Sequence, residues 1–136
     1  MAESPLKSVV DVAARTPYPP ESFAFVREGL YLAAKREYGP EPEMVNPALA
    51  GKRHVSGEQL CGALHDLAIR RWGMLAKTVL GSWHIRCTFD FGKIVYAMIN
   101  NQLMQRNEGD SQEDFRDVYN FDQAFSTENC LHVRLG

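Results

Sequence analysis

The middle of the chain begins with a pattern typical of an amphipathic helix. Between residues 57 and 72, apolar side chains recur every three or four positions with polar side chains between them, which is the periodicity of a helix with one buried face. Ser56 followed by Gln59 is a capping box, in which both side chains bond backbone amides at a helix start. Gly73 stands where a left-handed residue would end the helix. The sequence therefore predicts a helix from Gly57 to Trp72.

Two further helices are predicted immediately after it. Residues 74–80 form a short apolar-polar pattern that ends at a Gly-Ser pair, and residues 83–87 are expected to be an extended link. Thr88 is a good N-cap and Asp90 suits the positive end of a helix. The third helix is then expected to run to about Asn101, because apolar residues again recur at helical spacing.

The pattern changes after the third helix. Residues 103–105 and 115–121, on either side of a polar tip at 106–113, alternate roughly between apolar and polar side chains, which favours two strands. Ser111 with Asp114 can equally open a short helix carrying Phe115. With the strands, three helices and a hairpin make the layout of a winged helix.

Two helices are predicted before this core. Ser4 followed by Pro5 resembles a cap and a first turn, and a longer helix is expected from Pro20 to Gly39 because proline is tolerated where the first amide has no helical partner. Gly29 falls inside the longer helix, where glycine costs about 1 kcal/mol relative to alanine. A close helix contact at Gly29 would offset this cost.

These elements predict a single domain covering residues 1–136, mainly α within the α+β class. We expect the helical pair at 5–39 to pack on a winged-helix-like core at 54–125. The Pro-rich stretch at 40–53 is interpreted as an exposed loop or linker and as the best candidate for a mobile segment. Residues 126–136 are expected to form a poorly regular tail, with a strand-like alternation at 130–135.

Composition restricts the setting of the protein. Of 136 residues, 45% are hydrophobic, which suffices for a core. No run of apolar residues approaches the roughly 20 needed to span a membrane, and the first residues do not resemble a signal peptide. The three cysteines, Cys61, Cys87 and Cys130, are far apart and odd in number, which disfavours a disulfide framework. We expect a cytoplasmic protein with no membrane partner.

Three segments carry a resemblance to known proteins. These are HVSGEQL at residues 54–60, WxIRxTxDFGxIV at residues 83–95, and DFxDxYxF at residues 114–121. Together they resemble a small bacterial family of uncharacterised proteins, with the strongest similarity over residues 54–125. The family has no known function, so the resemblance implies no activity, cofactor or catalytic residue.

The charges are distributed unevenly along the chain. Residues 52–93 hold seven Lys or Arg against three acids, whereas residues 94–136 hold three basic residues against seven acids. A basic face of this kind can bind nucleic acid, although helical surfaces also differ in charge by chance. The candidate nucleic-acid ligands are Arg70, Arg71, Lys77, Arg86 and Lys93.

The predicted wing argues against nucleic acid as the first choice. It carries five acids between residues 108 and 117 and only two arginines between residues 106 and 116, and phosphates would repel such a loop. We therefore expect a non-enzymatic adaptor or assembly module that binds a basic protein partner or a second copy. The candidate contact residues are Asp114, Phe115, Asp117, Tyr119, Phe121 and Phe125, although the four rings can equally pack in the core.

Metal and catalytic sites are not predicted. Three cysteine-histidine pairs occur, namely Cys61 with His65, His84 with Cys87, and Cys130 with His132, but none has the spacing of a zinc motif. Nucleotide-binding loops and nucleophile elbows are absent from the sequence as well. Cys87 comes nearest to a reactive thiol, since it precedes a helix and has a histidine close by. We expect no cofactor, and packed thiols rather than catalysis.

Overall fold

A computed structural model describes residues 8–39 and 54–135 of the protein. All regular elements within these two ranges are helices, which confirms the prediction of a mainly helical chain. In chain order, the α-helices are α1 (Val9–Ala13), α2 (Pro20–Tyr38), α3 (Gly57–Trp72), α4 (Ala76–Ser82), α5 (Thr88–Asn100), α6 (Phe121–Ala124) and α7 (Thr127–Leu135). Two single 3₁₀ turns occur at Gly73–Leu75 and Gln112–Phe115.

The N-terminal helical pair is present. Helix α1 is capped by Ser8, whose hydroxyl accepts a hydrogen bond from the Asp11 amide at 3.1 Å. Helix α2 begins at Pro20 and ends before Gly39, which has a φ of 82°, as the proline and glycine positions predict. The predicted cap at Ser4 and the predicted loop at 40–53 lie outside the described residues.

Helix α3 has the predicted boundaries. The Ser56 hydroxyl accepts a hydrogen bond from the Gln59 amide at 3.0 Å, and the Gln59 side chain accepts one from the Ser56 amide at 2.9 Å. At the other end, Gly73 has a φ of 58°, in the left-handed region that favours glycine. Local sequence signals thus set both ends of this helix.

Replacing Ser56 by alanine is expected to lower the free energy of unfolding by about 1 kcal/mol, because the Gln59 amide loses its side-chain acceptor. Urea denaturation at neutral pH measures the change. Ser82 provides a matched control, because its exposed hydroxyl donates only to a carbonyl of its own helix. An S56A variant as stable as S82A would show that the capping box contributes nothing.

Helices α2 and α3 pack closely at Gly29. A Cβ atom built there would lie 2.2 Å from Cδ2 of Leu64, and Leu64 is itself fully buried. No side chain fits at this position without displacing the facing leucine. The contact accounts for a glycine in the middle of a helix, as the sequence predicted.

The link between α4 and α5 differs in detail from the prediction. Residues 83 and 84 form a turn, with His84 at a φ of 65°, and the backbone is extended at the end of the link, at Cys87. Cys87, and not Thr88, occupies the N-cap position of α5. Thr88 is already helical, and its buried hydroxyl donates a hydrogen bond to the Phe115 carbonyl at 2.7 Å. The Thr88 hydroxyl thus bonds a backbone carbonyl far away in the sequence and does not cap its own helix as predicted.

The predicted hairpin is not confirmed, because residues 103–121 contain no strand. Ser111 instead precedes the 3₁₀ turn at the N-cap position, and its amide donates to the carboxylate of Asp114, within the turn, at 3.0 Å. The Val118 amide donates to the Thr88 hydroxyl at 3.1 Å. Backbone groups that a hairpin would pair between strands are thus bonded to side chains. The short-helix alternative describes this segment better.

The tail is also more regular than predicted. Residues 127–135 form α7 rather than an irregular or strand-like end. The Ser126 hydroxyl accepts a hydrogen bond from the Asn129 amide at 3.3 Å, which is a helix-capping contact. Cys130 is buried and Val133 partly buried three residues later, a helical spacing that the strand interpretation overlooked.

Candidate functional site

The aromatic residues predicted as a contact surface lie mostly in the core. Phe115, Phe121 and Phe125 are all less than one-tenth exposed. The ring centroids of Phe121 and Phe125 are 5.1 Å apart, and those of Phe91 and Phe121 are 6.0 Å apart. This aromatic cluster joins α5 to α6 and covers the core beside α5. Of the two alternatives for these rings, the structure places three of them in core packing.

Tyr119 belongs to the same cluster. Its hydroxyl donates a hydrogen bond to the Cys61 carbonyl at 2.8 Å, and burial raises the pKa of Tyr119 well above its ordinary value. The ring makes an edge contact with His65 at 5.5 Å between centroids. The two nitrogens of His65 contact the Ala124 carbonyl at 2.6 Å and the Asp66 carboxylate at 3.1 Å. These contacts attach residues 119–125 to α3.

The acids of the predicted contact set remain at the surface. Asp114 and Asp117 are exposed, and Asp117 has a φ of 51°. Nearby, Arg116 forms two hydrogen bonds to Glu113, at 2.6 and 3.1 Å. These hydrogen bonds lower the pKa of Glu113 and raise the pKa of Arg116. A partner of this segment would therefore meet carboxylates and not rings.

The five residues of the predicted basic face do not form one unopposed patch. Three of them face carboxylates, and these pairs are Arg71 with Glu28, Lys77 with Asp122, and Lys93 with Asp90. The other two, Arg70 and Arg86, are exposed. Because nearby carboxylates offset much of the positive charge, the potential available to a phosphate backbone is reduced.

The side chain of Asp90, which is only 8% exposed, has several hydrogen-bond partners. One carboxylate oxygen accepts a hydrogen bond from the Tyr18 hydroxyl at 2.5 Å, and the other accepts from the Arg86 amide at 2.8 Å. Burial, together with the hydrogen bond to the Asp90 charge, raises the pKa of Tyr18. These bonds tie the segment before α2 to the start of α5, which is a structural role.

The cysteine-histidine pairs do not converge. Cys61 is fully buried, and burial raises the pKa of its thiol to about 12, which keeps it protonated. Both nitrogens of His65 already have partners. Sγ of Cys87 lies 3.5 Å from the Asp90 carboxylate, to which it donates a weak hydrogen bond. Within residues 8–39 and 54–135, no group of three or more potential ligands is arranged to hold a metal ion.

Sequence reasoning missed an exposed apolar surface where α3, α4 and α7 meet. Met74 is 61% exposed and Leu75 is 64% exposed, both on the 3₁₀ turn between α3 and α4. Leu131, on α7, is 52% exposed. The two segments are in contact, since Sγ of Cys130 lies 3.8 Å from the Gly73 carbonyl. We call Met74, Leu75 and Leu131 the apolar patch.

Two basic residues lie near Met74 in the chain. Arg70 is in the last turn of α3, before the helix ends at Gly73, and is exposed. Lys77 follows Met74 by three residues, and its side chain is 55% exposed despite its pairing with Asp122. The sequence signal for this surface was an apolar Met-Leu pair immediately after a C-capping glycine. The patch escaped notice because such a pair is more commonly buried.

Comparisons with known proteins identify no family for this chain. No protein-family model, no curated protein and no solved structure matches it. None of the helices within the described ranges is both long and apolar enough to cross a membrane. The conclusions about function therefore depend on the surface and cavities of the chain itself.

Proposed function

We propose that the protein is a non-enzymatic adaptor module that binds a protein partner through the apolar patch. The observation that supports this function is the exposure of Met74, Leu75 and Leu131 on two segments that pack together at the junction of three helices. Exposed methionine and leucine side chains on neighbouring segments are typical of protein-binding surfaces. Single exposed apolar residues, such as Val10, need no such explanation.

The partner that fits this surface is an amphipathic helix with acidic residues beside its apolar face. Arg70 and Lys77 lie on the two sides of Met74 along the chain and would pair with those acids. Two copies of the same patch facing each other would bring like charges together, which disfavours a symmetric dimer at this site. A partner helix, rather than a second copy, is the occupant we propose.

This proposal changes the site first inferred from the sequence. The segment with Asp114 and Asp117 exposes charged side chains instead of an aromatic surface, because three of its four rings are buried. A winged-helix nucleic-acid binder remains the second candidate. It draws support from the exposed Arg70 and Arg86 and loses support from the ion pairs of the other basic residues.

Selecting peptides from a displayed random library against the purified protein tests the proposal. We expect the enriched peptides to combine acids with leucines or aromatics at helical spacing. The double variant Met74→Ser with Leu75→Ser should bind the best peptide at least about tenfold more weakly, since exposed apolar anchors supply most of such affinity. Fluorescence anisotropy measures the affinity. The control is Tyr31→Ser, which changes an exposed aromatic residue on α2, outside the apolar patch.

Circular dichroism and thermal melts establish that both variants fold, as expected for exposed positions. Peptides that bind the double variant as tightly as the wild type would contradict the proposal. A dimer in sedimentation experiments that dissociates in the double variant would replace the partner helix with a second copy. Tight, steeply salt-dependent binding of duplex DNA or RNA that is weakened by Arg86→Glu would instead favour the nucleic-acid alternative.

A further inference from the structure

A cavity of about 220 Å³ lies between the start of α3, the second half of α5 and the loop at 104–115. Its walls are apolar on one part and polar on another, and they come from elements distant in sequence. They include Leu30, Val55, Leu60, Val95, Ile99 and Phe115. Pockets for drug-sized ligands are generally larger, at roughly 300 Å³ and above. The volume therefore suits a small ligand whose main body is apolar.

One polar group in this cavity lacks a partner. The hydroxyl of Tyr96 is buried, and no hydrogen-bond partner for it exists among residues 8–39 and 54–135. Tyr96 lines the cavity. Buried hydroxyls are nearly always hydrogen-bonded, because leaving one unpaired costs folding free energy. A ligand with a hydrogen-bonding group would satisfy this hydroxyl.

The polar side of the cavity is negatively charged. Asp110, Ser111 and Asp114 line it, and no lysine or arginine is among the lining residues within 8–39 and 54–135. Burial raises the pKa of Tyr96, and the charges of Asp110 and Asp114 raise it further against the opposing charge of Arg106. The tyrosine hydroxyl and the two carboxylates thus share one electrostatic environment, which favours a cation.

Both carboxylates of the cavity have neighbours that interact with their charge. His54 Nε2 lies 3.4 Å from Oδ1 of Asp110, with the histidine side chain 40% exposed. The Asp114 carboxylate accepts a hydrogen bond from the Ser111 amide within the 3₁₀ turn. Asp110 is half-buried whereas Asp114 is exposed, so Asp110 is the carboxylate that we assign to a ligand.

We propose that this cavity binds a small amphipathic amine. The apolar body of the ligand would occupy the space between Leu60, Val95 and Phe115. Its ammonium group would donate hydrogen bonds to Asp110 and to the oxygen of Tyr96. The site is separate from the apolar patch, so this binding is independent of the proposed adaptor function.

Titrating the full chain with phenethylamine while recording ¹H–¹⁵N correlation spectra tests the proposal. The neutral 2-phenylethanol and the anionic 3-phenylpropionate have a similar ring and chain and serve as matched ligands. We expect phenethylamine to shift the amide signals of the lining residues and to bind at least about threefold more tightly than the alcohol, as a partly exposed ion pair allows. The carboxylate ligand should bind most weakly.

Two variants separate the contribution of the Asp110 charge to binding from that of the Tyr96 hydroxyl. Asp110→Asn should reduce the affinity for phenethylamine to that for the alcohol, whereas Tyr96→Phe should weaken the binding of both. Glu128→Gln removes an exposed acid from α7 and should change neither affinity. Equal affinities for all three ligands, unchanged amine binding in D110N, or shifts confined to residues outside the cavity would each overturn the proposal.

Discussion

Replacing Asp90 by asparagine is expected to lower the free energy of unfolding by about 3 kcal/mol, the cost of disrupting a buried, fully bonded charge. The amide group of asparagine supplies one acceptor oxygen where the carboxylate supplies two. The Tyr18 hydroxyl and the Arg86 amide now bond different oxygens. The side-chain NH₂ group would then face either the Arg86 amide, which would lose its acceptor, or the Tyr18 hydroxyl, which would have to accept a hydrogen bond instead of donating one.

The stabilisation by Asp90 should also depend on pH. Burial by itself would raise the pKa of this carboxyl, but the hydrogen bonds from Tyr18 and from the amide of Arg86 outweigh it. The Cys87 side chain and the charge of Lys93 act in the same direction, so that the pKa of Asp90 falls below its ordinary 3.8. Folding therefore favours the ionised form. The stabilisation is complete above the ordinary pKa and is lost as the pH falls through the lowered one.

Urea denaturation of the wild type and D90N at several pH values measures both effects. The difference between the two proteins should be constant near neutral pH and should shrink below about pH 4. Asp122→Asn is the control, because the Asp122 side chain is 76% exposed and its pairing with Lys77 should contribute less than about 1 kcal/mol. A difference that does not change with pH would show that ionisation of Asp90 is not coupled to folding.

Replacing Gly92 by alanine is expected to lower the free energy of unfolding by about 1–3 kcal/mol, the usual cost of overpacking. In an ordinary helix the same change gains about 1 kcal/mol. Here a Cβ atom would lie 2.7 Å from Cβ and 2.8 Å from Cγ of Phe115. Phe115 is buried, so the 3₁₀ turn that carries it would have to shift.

Gly62 provides the matched control. It lies within α3, and a Cβ atom there would meet nothing within 4 Å. Gly62→Ala should therefore stabilise the protein by about 0.5–1 kcal/mol. A double-mutant cycle tests whether Phe115 causes the loss of stability in G92A. Phe115→Ala should lower the free energy of unfolding less in the G92A background than in the wild type. Stabilisation by G92A equal to that by G62A would mean that Phe115 does not lie against α5.

The helices of the central stretch could be predicted from the sequence because their signals are local. The capping box of Ser56 and Gln59 acts within one turn, and a left-handed Gly73 ends the same helix. Both signals operate between neighbours in the chain, so no knowledge of packing is needed. The glycine at position 29 is an intermediate case: the sequence indicated a close contact there, but only the structure shows that Leu64 makes it.

The candidate sites could not be predicted in the same way. The patch of Met74, Leu75 and Leu131 combines residues more than 50 positions apart in the chain, and their exposure depends on how α7 lies against the end of α3. The cavity likewise brings Tyr96 to Asp110 through the path of a loop without regular structure. Neither arrangement leaves a periodic pattern in the sequence.

The sequence by itself determined the helical class, the two ends of α3 and the position of the tight helix contact. Tertiary structure alone decided that the Thr88 hydroxyl would bond the Phe115 carbonyl instead of capping its own helix, and that the rings of residues 115–125 would face inward. The physical reason is the range of the interactions. Capping and periodicity act over one or two turns, whereas burial and hydrogen bonding between distant segments depend on how the whole chain packs.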